Sequence, residues 1–196
     1  MSGRAAARFP SLFTRFMNTL VGDGEAIVRP AVSDELDYEC EQALVIGKPG
    51  RHIARDRAMA HIAGYACFND ASVRDFQTRH SLPAGKNFFA TGGFGPWLVT
   101  ADEIPEPGRL DLSTRINGME VQYGNTADLI FDIPAIISYV SSFTPLSPGD
   151  VISTGTPEGV GFLRKAPLFL KPGDVVEIIV EGVGVLRNPV IAESQQ

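Results

Sequence analysis

Glycine and proline interrupt this chain so often that long helices are excluded from most of it. There are 20 glycines and 14 prolines in 196 residues. Between Gly92 and Pro189 they fall at the ends of short runs rich in β-branched and aromatic residues. Glycine opens backbone conformations that turns need, and proline removes a donor that helices and central strands use. Short strands joined by tight turns are what such text specifies. Helical patterning is confined to residues 55–63 and to Ile133–Phe143, the latter with Pro134 in a first turn where its missing N–H costs nothing. The expected class is mostly β with a few short helices (α+β), as a curled or barrel-like mixed β architecture.

Residues 36–46 read as one strand, closed by the turn cluster Gly47-Lys48-Pro49-Gly50. Asn117-Gly118, between β-type runs at 110–116 and 119–123, is a strong short-range signal for a hairpin. Val151–Ser153 follows Pro148-Gly149-Asp150, and Val175–Val180 follows Pro172-Gly173-Asp174, with 182–186 as its hairpin partner. No repeat or long linker divides the chain, so one domain over residues 1–196 is expected.

Several function classes fall away on composition. The net charge is −6 and no basic cluster is present, which argues against non-specific nucleic-acid binding. No apolar run approaches the roughly 20 residues of a membrane-spanning helix. Cys40 and Cys67 form neither a CxxC pair nor a disulfide framework and read as small buried hydrophobes. Arg4, Arg8 and Arg15 precede the first acid, Asp23, a weak transit-peptide pattern. The expectation is a cytoplasmic protein with free thiols.

The chemistry-bearing residues lie in four places. In Asp37-Tyr38-Glu39-Cys40-Glu41, strand alternation puts Glu39 and Glu41 on one face. A solvated edge is the ordinary explanation, but the apolar run Ala43-Leu44-Val45-Ile46 predicts burial, and paired buried acids call for a cation. If Asp70 opens a helical turn, Asp70, Arg74 and Gln77 fall on one face; the equal alternative is a helix cap with a simple ion pair. Lys86, bracketed by Gly85 and aromatic residues, suits a lined cleft, although the glycines also fit a plain turn. Ser153-Thr154-Gly155-Thr156 is a glycine-flanked loop whose hydroxyl and N–H groups suit an anion, without the Lys-Ser/Thr ending of a nucleotide phosphate loop. His52, His61 and His80 show no metal-ligand spacing.

In order along the chain, Asp37-Tyr38-Glu39-Cys40-Glu41, Gly64-Tyr65-Ala66-Cys67-Phe68-Asn69-Asp70, Val73-Arg74-Asp75, Gly85-Lys86-Asn87-Phe88, Gly95-Pro96-Trp97, Thr154-Gly155-Thr156-Pro157 and Leu170-Lys171-Pro172-Gly173-Asp174 together resemble the fumarylacetoacetate hydrolase superfamily. The resemblance implies that family's own β-rich fold, like the C-terminal part of a fumarylacetoacetase, and usually a homodimer. It implies an Mg²⁺ or Mn²⁺ site on Glu39, Glu41 and Asp70. Lys86, Gln77 and Arg74 match catalytic positions, and Arg15 and Thr156 match substrate-binding positions. The implied activity is a divalent-metal-dependent one on a small 2-oxo or enol dicarboxylic acid, as in breakdown of aromatic compounds. Hydrolysis of a C–C bond, decarboxylation, and isomerisation or hydration all proceed there through a metal-stabilised enolate.

Two departures from the family pattern stand out. Cys40 and Gln42 replace the more usual Gly and Leu, and the segment 1–35 lacks the His-Glu pair that such enzymes often carry on a lid. The alternative is therefore a homologue that binds metal and 2-oxo acid without turning it over.

Overall fold

The computed structural model describes residues 8–194, so Arg4 of the basic N-terminal pattern lies outside the described residues. In chain order its strands are β1 (Leu20–Val21), β2 (Ile27–Arg29), β3 (Leu36–Asp37), β4 (Cys40–Ile46), β5 (Ile62–Asn69), β6 (Ser72–Val73), β7 (Gly92–Thr100), β8 (Asp111–Ile116), β9 (Met119–Asn125), β10 (Val151–Ser153), β11 (Val175–Val180) and β12 (Gly184–Ala192). The α-helices are α1 (Arg74–Arg79), α2 (Leu82–Lys86) and α3 (Ile133–Phe143).

One sheet runs β1-β7-β5-β4-β10 and a second β2-β12-β11-β8-β9, with β3 and β6 as a separate pair. The β1–β7 and β2–β12 pairs are parallel and the other pairings antiparallel, so the architecture is mixed β, as expected. Register shifts at Val45/Ile46, Tyr65/Cys67 and Thr114/Arg115 bend the strands and curl both sheets. The sheets pack through β11 and β12 against β4, β5 and β7. Leu44, Tyr65, Ile178 and Leu186 are buried in the shared core.

Local signals explain the elements outside the site. In β11 burial alternates, with Val176, Ile178 and Val180 inward. Asn117 and Gly118 both have positive φ, 52° and 79°, which is the requirement of a type I′ hairpin turn. Helix α3 begins where the Asp132 side chain accepts from Ala135 N, and it buries Ile133, Ile136 and Ile137 on one stripe.

The structure corrects four expectations. Residues 36–46 are not one strand: Asp37 Oδ1 accepts from Tyr38 N and Asn69 Oδ1 accepts from Glu39 N, which breaks the ladder between β3 and β4. Residues 55–63 form a 3₁₀ helix only over Arg55–His61, because Ile62 already pairs with Ile46. Asp70 opens no helix. Ser72 and Val73 pair with Asp37 and Leu36, so α1 starts only at Arg74. Finally, β12 runs well past residue 186, and β5 and β7 are long strands that residue alternation does not reveal. Strand β5 is buried on both faces, and the glycines of β7 make room for neighbours. A Cβ on Gly92 would lie 2.8 Å from Arg15 Nη2.

Candidate functional site

The break between β3 and β4 brings the acids together. Glu39 lies in the break, Glu41 is the second residue of β4, and Asp70 follows the last residue of β5. Backbone Asp70 N donates to Glu39 O at 2.9 Å, which pins the two segments side by side. All three residues are buried, and each offers a carboxylate oxygen within 4.8 Å of the others.

Lys86, the last residue of α2, reaches into this cluster. Its Nζ donates to Glu39 Oε2 at 2.7 Å and to Asp70 Oδ2 at 2.6 Å. The close approach of α2 to α1 depends on Gly85, where a Cβ would lie 2.5 Å from Gln77 Cβ. Arg15 approaches from the N-terminal segment and donates through Nη1 to Asp70 Oδ1 at 2.5 Å and through Nη2 to Thr91 Oγ1. It therefore sits against one of the clustered acids. Arg74 spans Asp37 and Glu39: Nε donates to Asp37 Oδ2 at 2.8 Å, and Nη2 lies 2.6 Å from Glu39 Oε1. That second contact is a close buried ion pair whose angle departs from that of a regular hydrogen bond. Arg74 Nη1 donates to Gln77 Oε1 at 2.8 Å, which leaves the Gln77 amide nitrogen available. Burial opposes the Arg74 charge, but Glu39 and Asp37 more than offset it and raise the Arg74 pKa.

The 153–156 loop binds a carboxyl group, and that group belongs to the chain itself. Ser153 Oγ donates to Glu41 Oε2, and Gly155 N donates to the same oxygen at 2.9 Å. Thr156 Oγ1 accepts from Gln122 Nε2 at 2.7 Å, so its own hydroxyl proton is available. Gln122 also accepts from Cys40 N and Thr114 Oγ1, tying the loop to the start of β4. Sequence reasoning gave Gln122 and Asn69 no role, and Ser153 only a place in a loop suited to an anion. Their partners lie many residues away, and only the strand register brings them together. Thus Glu39, Glu41, Asp70, Lys86, Arg15 and Arg74 form one ion cluster, with Gln77 joined to it through Arg74. Thr156 belongs to the loop that binds Glu41.

Electrostatics within the cluster are unbalanced. Asp37, Glu39 and Asp70 have cation partners in Arg74, Lys86 and Arg15. Among the described residues Glu41 has no ion-pair partner, only the neutral donors of the loop. Burial, then the charges of Asp70 and Glu39, push the Glu41 carboxyl up from 4.5 to about 8. Once Glu41 gives up its proton, the all-carboxylate set carries one surplus negative charge, which fits a hard divalent cation of the Mg²⁺ or Mn²⁺ kind. The thiols take no part: Cys40 and Cys67 are buried and free, and burial raises both.

Comparison with known proteins gives the family. Residues 1–191 match the family model described as fumarylacetoacetate (FAA) hydrolase C-terminal. The chain is 44% identical over 185 residues to human oxaloacetate tautomerase FAHD2A, mitochondrial, covering 93% of this chain and 59% of that protein. It thus spans about three-fifths of the length of the curated relatives it matches. A fumarylacetoacetate hydrolase structure from Exiguobacterium antarcticum superposes with a TM-score of 0.91 at 39% identity, over 97% of this chain and 69% of that one. Maleylpyruvate hydrolase from Sphingobium sp. SYK-6, in complex with manganese(II) and pyruvate, gives a TM-score of 0.84 at 35% identity, over 93% and 64%. The compartment in the human relative's name is the mitochondrion, which lends no support to the cytoplasmic expectation. Among the described residues no helix is long and apolar enough to cross a membrane.

Proposed function

The chain belongs to the fumarylacetoacetate hydrolase family, and on that premise we propose that it is a divalent-metal-dependent enzyme for a small 2-oxo dicarboxylic acid. The reaction we favour is isomerisation between keto and enol forms, as in the relative named for oxaloacetate. The observation that carries this reading is the buried Glu39–Glu41–Asp70 cluster with Lys86 and Arg74 at its edge.

Glu39, Glu41 and Asp70, each with a carboxylate oxygen turned to the others, would hold the metal. When bound, Mg²⁺ or Mn²⁺ supplies Lewis-acid polarisation of the 2-oxo acid. Lys86 and Arg74 neutralise the substrate carboxylate and the charge that develops as the C3 proton passes to a water and the enol oxygen takes up a proton from solvent. Arg74 Nη2 suits this task, because it carries two N–H groups and Glu39 Oε1, at 2.6 Å, engages only one side of it. Gln77, its carbonyl oxygen taken by Arg74, offers its amide N–H to a water or to substrate. Thr156 donates its hydroxyl to the far carboxylate, and Arg15 screens Asp70 on the side away from Lys86. The whole chain acts as one domain and as a homodimer in this reading. Exposed Phe16, Met17 and Phe89, on neighbouring segments joined through Asn18 and Ala90, support an apolar contact between copies.

The test is calorimetric titration with Mn²⁺, followed by an ultraviolet assay of oxaloacetate enol loss with metal present and after chelation. We expect Mn²⁺ binding and a metal-dependent acceleration. Asp70→Ala should weaken Mn²⁺ by at least about tenfold, since even residues that only support metal ligands cost that much. A parent chain without Mn²⁺ affinity, or Asp70→Ala binding as tightly as the parent, overturns the ligand set. Metal and 2-oxo acid binding without turnover of any 2-oxo acid establishes the binding homologue instead.

A further inference from the structure

Asp37 has no exposure at all, and its carboxylate accepts four hydrogen bonds from three parts of the chain. Tyr38 N and Gly161 N donate to Oδ1, each at 2.8 Å. Phe162 N donates to Oδ2 at 2.9 Å and Arg74 Nε to the same oxygen at 2.8 Å. The turn at Gly161 passes close by, since a Cβ there would lie 2.7 Å from Asp37 Oδ1. The ring of Phe162 then comes to 5.8 Å from the Arg74 Cζ atom.

These contacts decide how the Arg74 guanidinium is used. Its Nε is committed to Asp37 and its Nη1 to Gln77, while Nη2 lies 2.6 Å from Glu39 Oε1 and carries a second N–H. A carboxylate that only neutralised Arg74 would not also need to bind two N–H groups of a distant turn. We propose that Asp37 is a positioning residue: it locks the Arg74 guanidinium and the Gly161–Phe162 turn together, and so holds Arg74 Nη2, paired with Glu39 Oε1, where its second N–H meets an oxygen of the bound 2-oxo acid. The proposal rests on the functional reading above. Asp37 touches neither metal nor substrate in it and acts through Arg74.

The test uses the full chain loaded with Mn²⁺ and oxalate as the probe for a 2-oxo acid. Asp37→Asn keeps the shape but sets an amide N–H₂ or a single oxygen against donors that now share two oxygens. Mn²⁺ affinity without oxalate should stay within about threefold of the parent, whereas oxalate affinity should fall by about tenfold or more, the scale of a lost supporting partner. Trypsin should cut faster after Arg164 and Lys165 as the turn is released. Arg74→Lys keeps the charge but loses the fork that Asp37 fixes. It should lose oxalate as Asp37→Asn does, and the double variant should lose little more, because coupled residues are not additive.

Parallel loss of Mn²⁺ and oxalate affinity would mark a merely structural role and overturn the proposal. Additive losses, or oxalate binding unchanged in Asp37→Asn, would overturn it too. If Asp37→Asn does not fold, Arg74→Lys alone decides, and oxalate affinity kept in that variant refutes positioning. A parent chain that takes up Mn²⁺ but no oxalate refutes the functional reading itself, an outcome distinct from variants that match a binding-competent parent.

Discussion

The two faces of β4 bury polar groups in opposite ways. On one face Glu41 joins Glu39, Asp70, Lys86 and the arginines, and each carboxylate of that cluster has hydrogen-bond or ion-pair partners. On the other face, turned to the second sheet, Cys40 donates to Ile179 O, while the fully buried Gln42 has neither amide atom partnered. The charged face spends much of its surroundings on satisfying charge, and the neutral face leaves a lone amide in an apolar core. Burying an unpaired charge is far more costly than burying an unpaired amide, so a chain must answer the first demand before the second.

The largest expected effect comes from breaking the charged face. Arg74→Ala leaves Asp37 with no cation and Glu39 with only Lys86. Removing one partner of a buried ion pair typically costs about 3–5 kcal/mol. Urea unfolding of the metal-free chain should show a loss of that order. A loss below about 1 kcal/mol, the scale of an exposed pair, would mean that the cluster is hydrated and the contrast between the faces false.

The charged face also titrates. Because Glu41 rises from 4.5 to about 8 on folding, the folded metal-free chain keeps a proton that the unfolded chain has released across that interval. The contribution is fully present below about 4.5 and is lost as pH rises through about 8. Stability from this group should fall with increasing pH at no more than about 1.4 kcal/mol per unit, one proton's worth. Mn²⁺ affinity should run the other way, rising with pH as the carboxyl ionises. Urea midpoints and calorimetric titrations between pH 5 and 8 check both slopes, with Glu41→Gln as the control that should flatten them.

How far these faces can be read in the sequence differs as well. Elements with local signals were legible: the Asn117-Gly118 hairpin, α3 with Pro134 in its first turn, and β11 after the Pro172-Gly173-Asp174 turn. Strands β5 and β7 were not, because a strand buried on both faces does not alternate, and because the glycines of β7 answer to neighbours such as Arg15. At the site, the spacing of Glu39 and Glu41 suggested a shared cation from the residues alone. The convergence of Asp70 and Lys86 on them came from resemblance. The reason is physical: α1 does not begin at Asp70, and the contacts of Lys86 close a span of 47 residues to Glu39. The Asp37 bonds to Gly161 and Phe162 close spans of 124 and 125 residues, which no local pattern encodes.

The smallest effect tests the neutral face. Gln42 sits on β4 opposite Cys67 of β5, with its backbone carbonyl accepting from Thr154 N and Oγ1. Those bonds belong to the main chain and survive substitution, so only the side chain is at issue. Replacing an unpartnered amide by an apolar group of similar volume removes a desolvation penalty and leaves no polar atom behind. Gln42→Leu should therefore stabilise the chain by about 1 kcal/mol in urea unfolding, and it should leave Mn²⁺ affinity unchanged because its side chain points away from Glu41. Destabilisation would show that a buried water satisfies the amide and that both faces of β4 are fully hydrogen-bonded. Lost Mn²⁺ affinity would show that the faces are coupled through the strand, and the division between a charged face for chemistry and a neutral face for packing would fail.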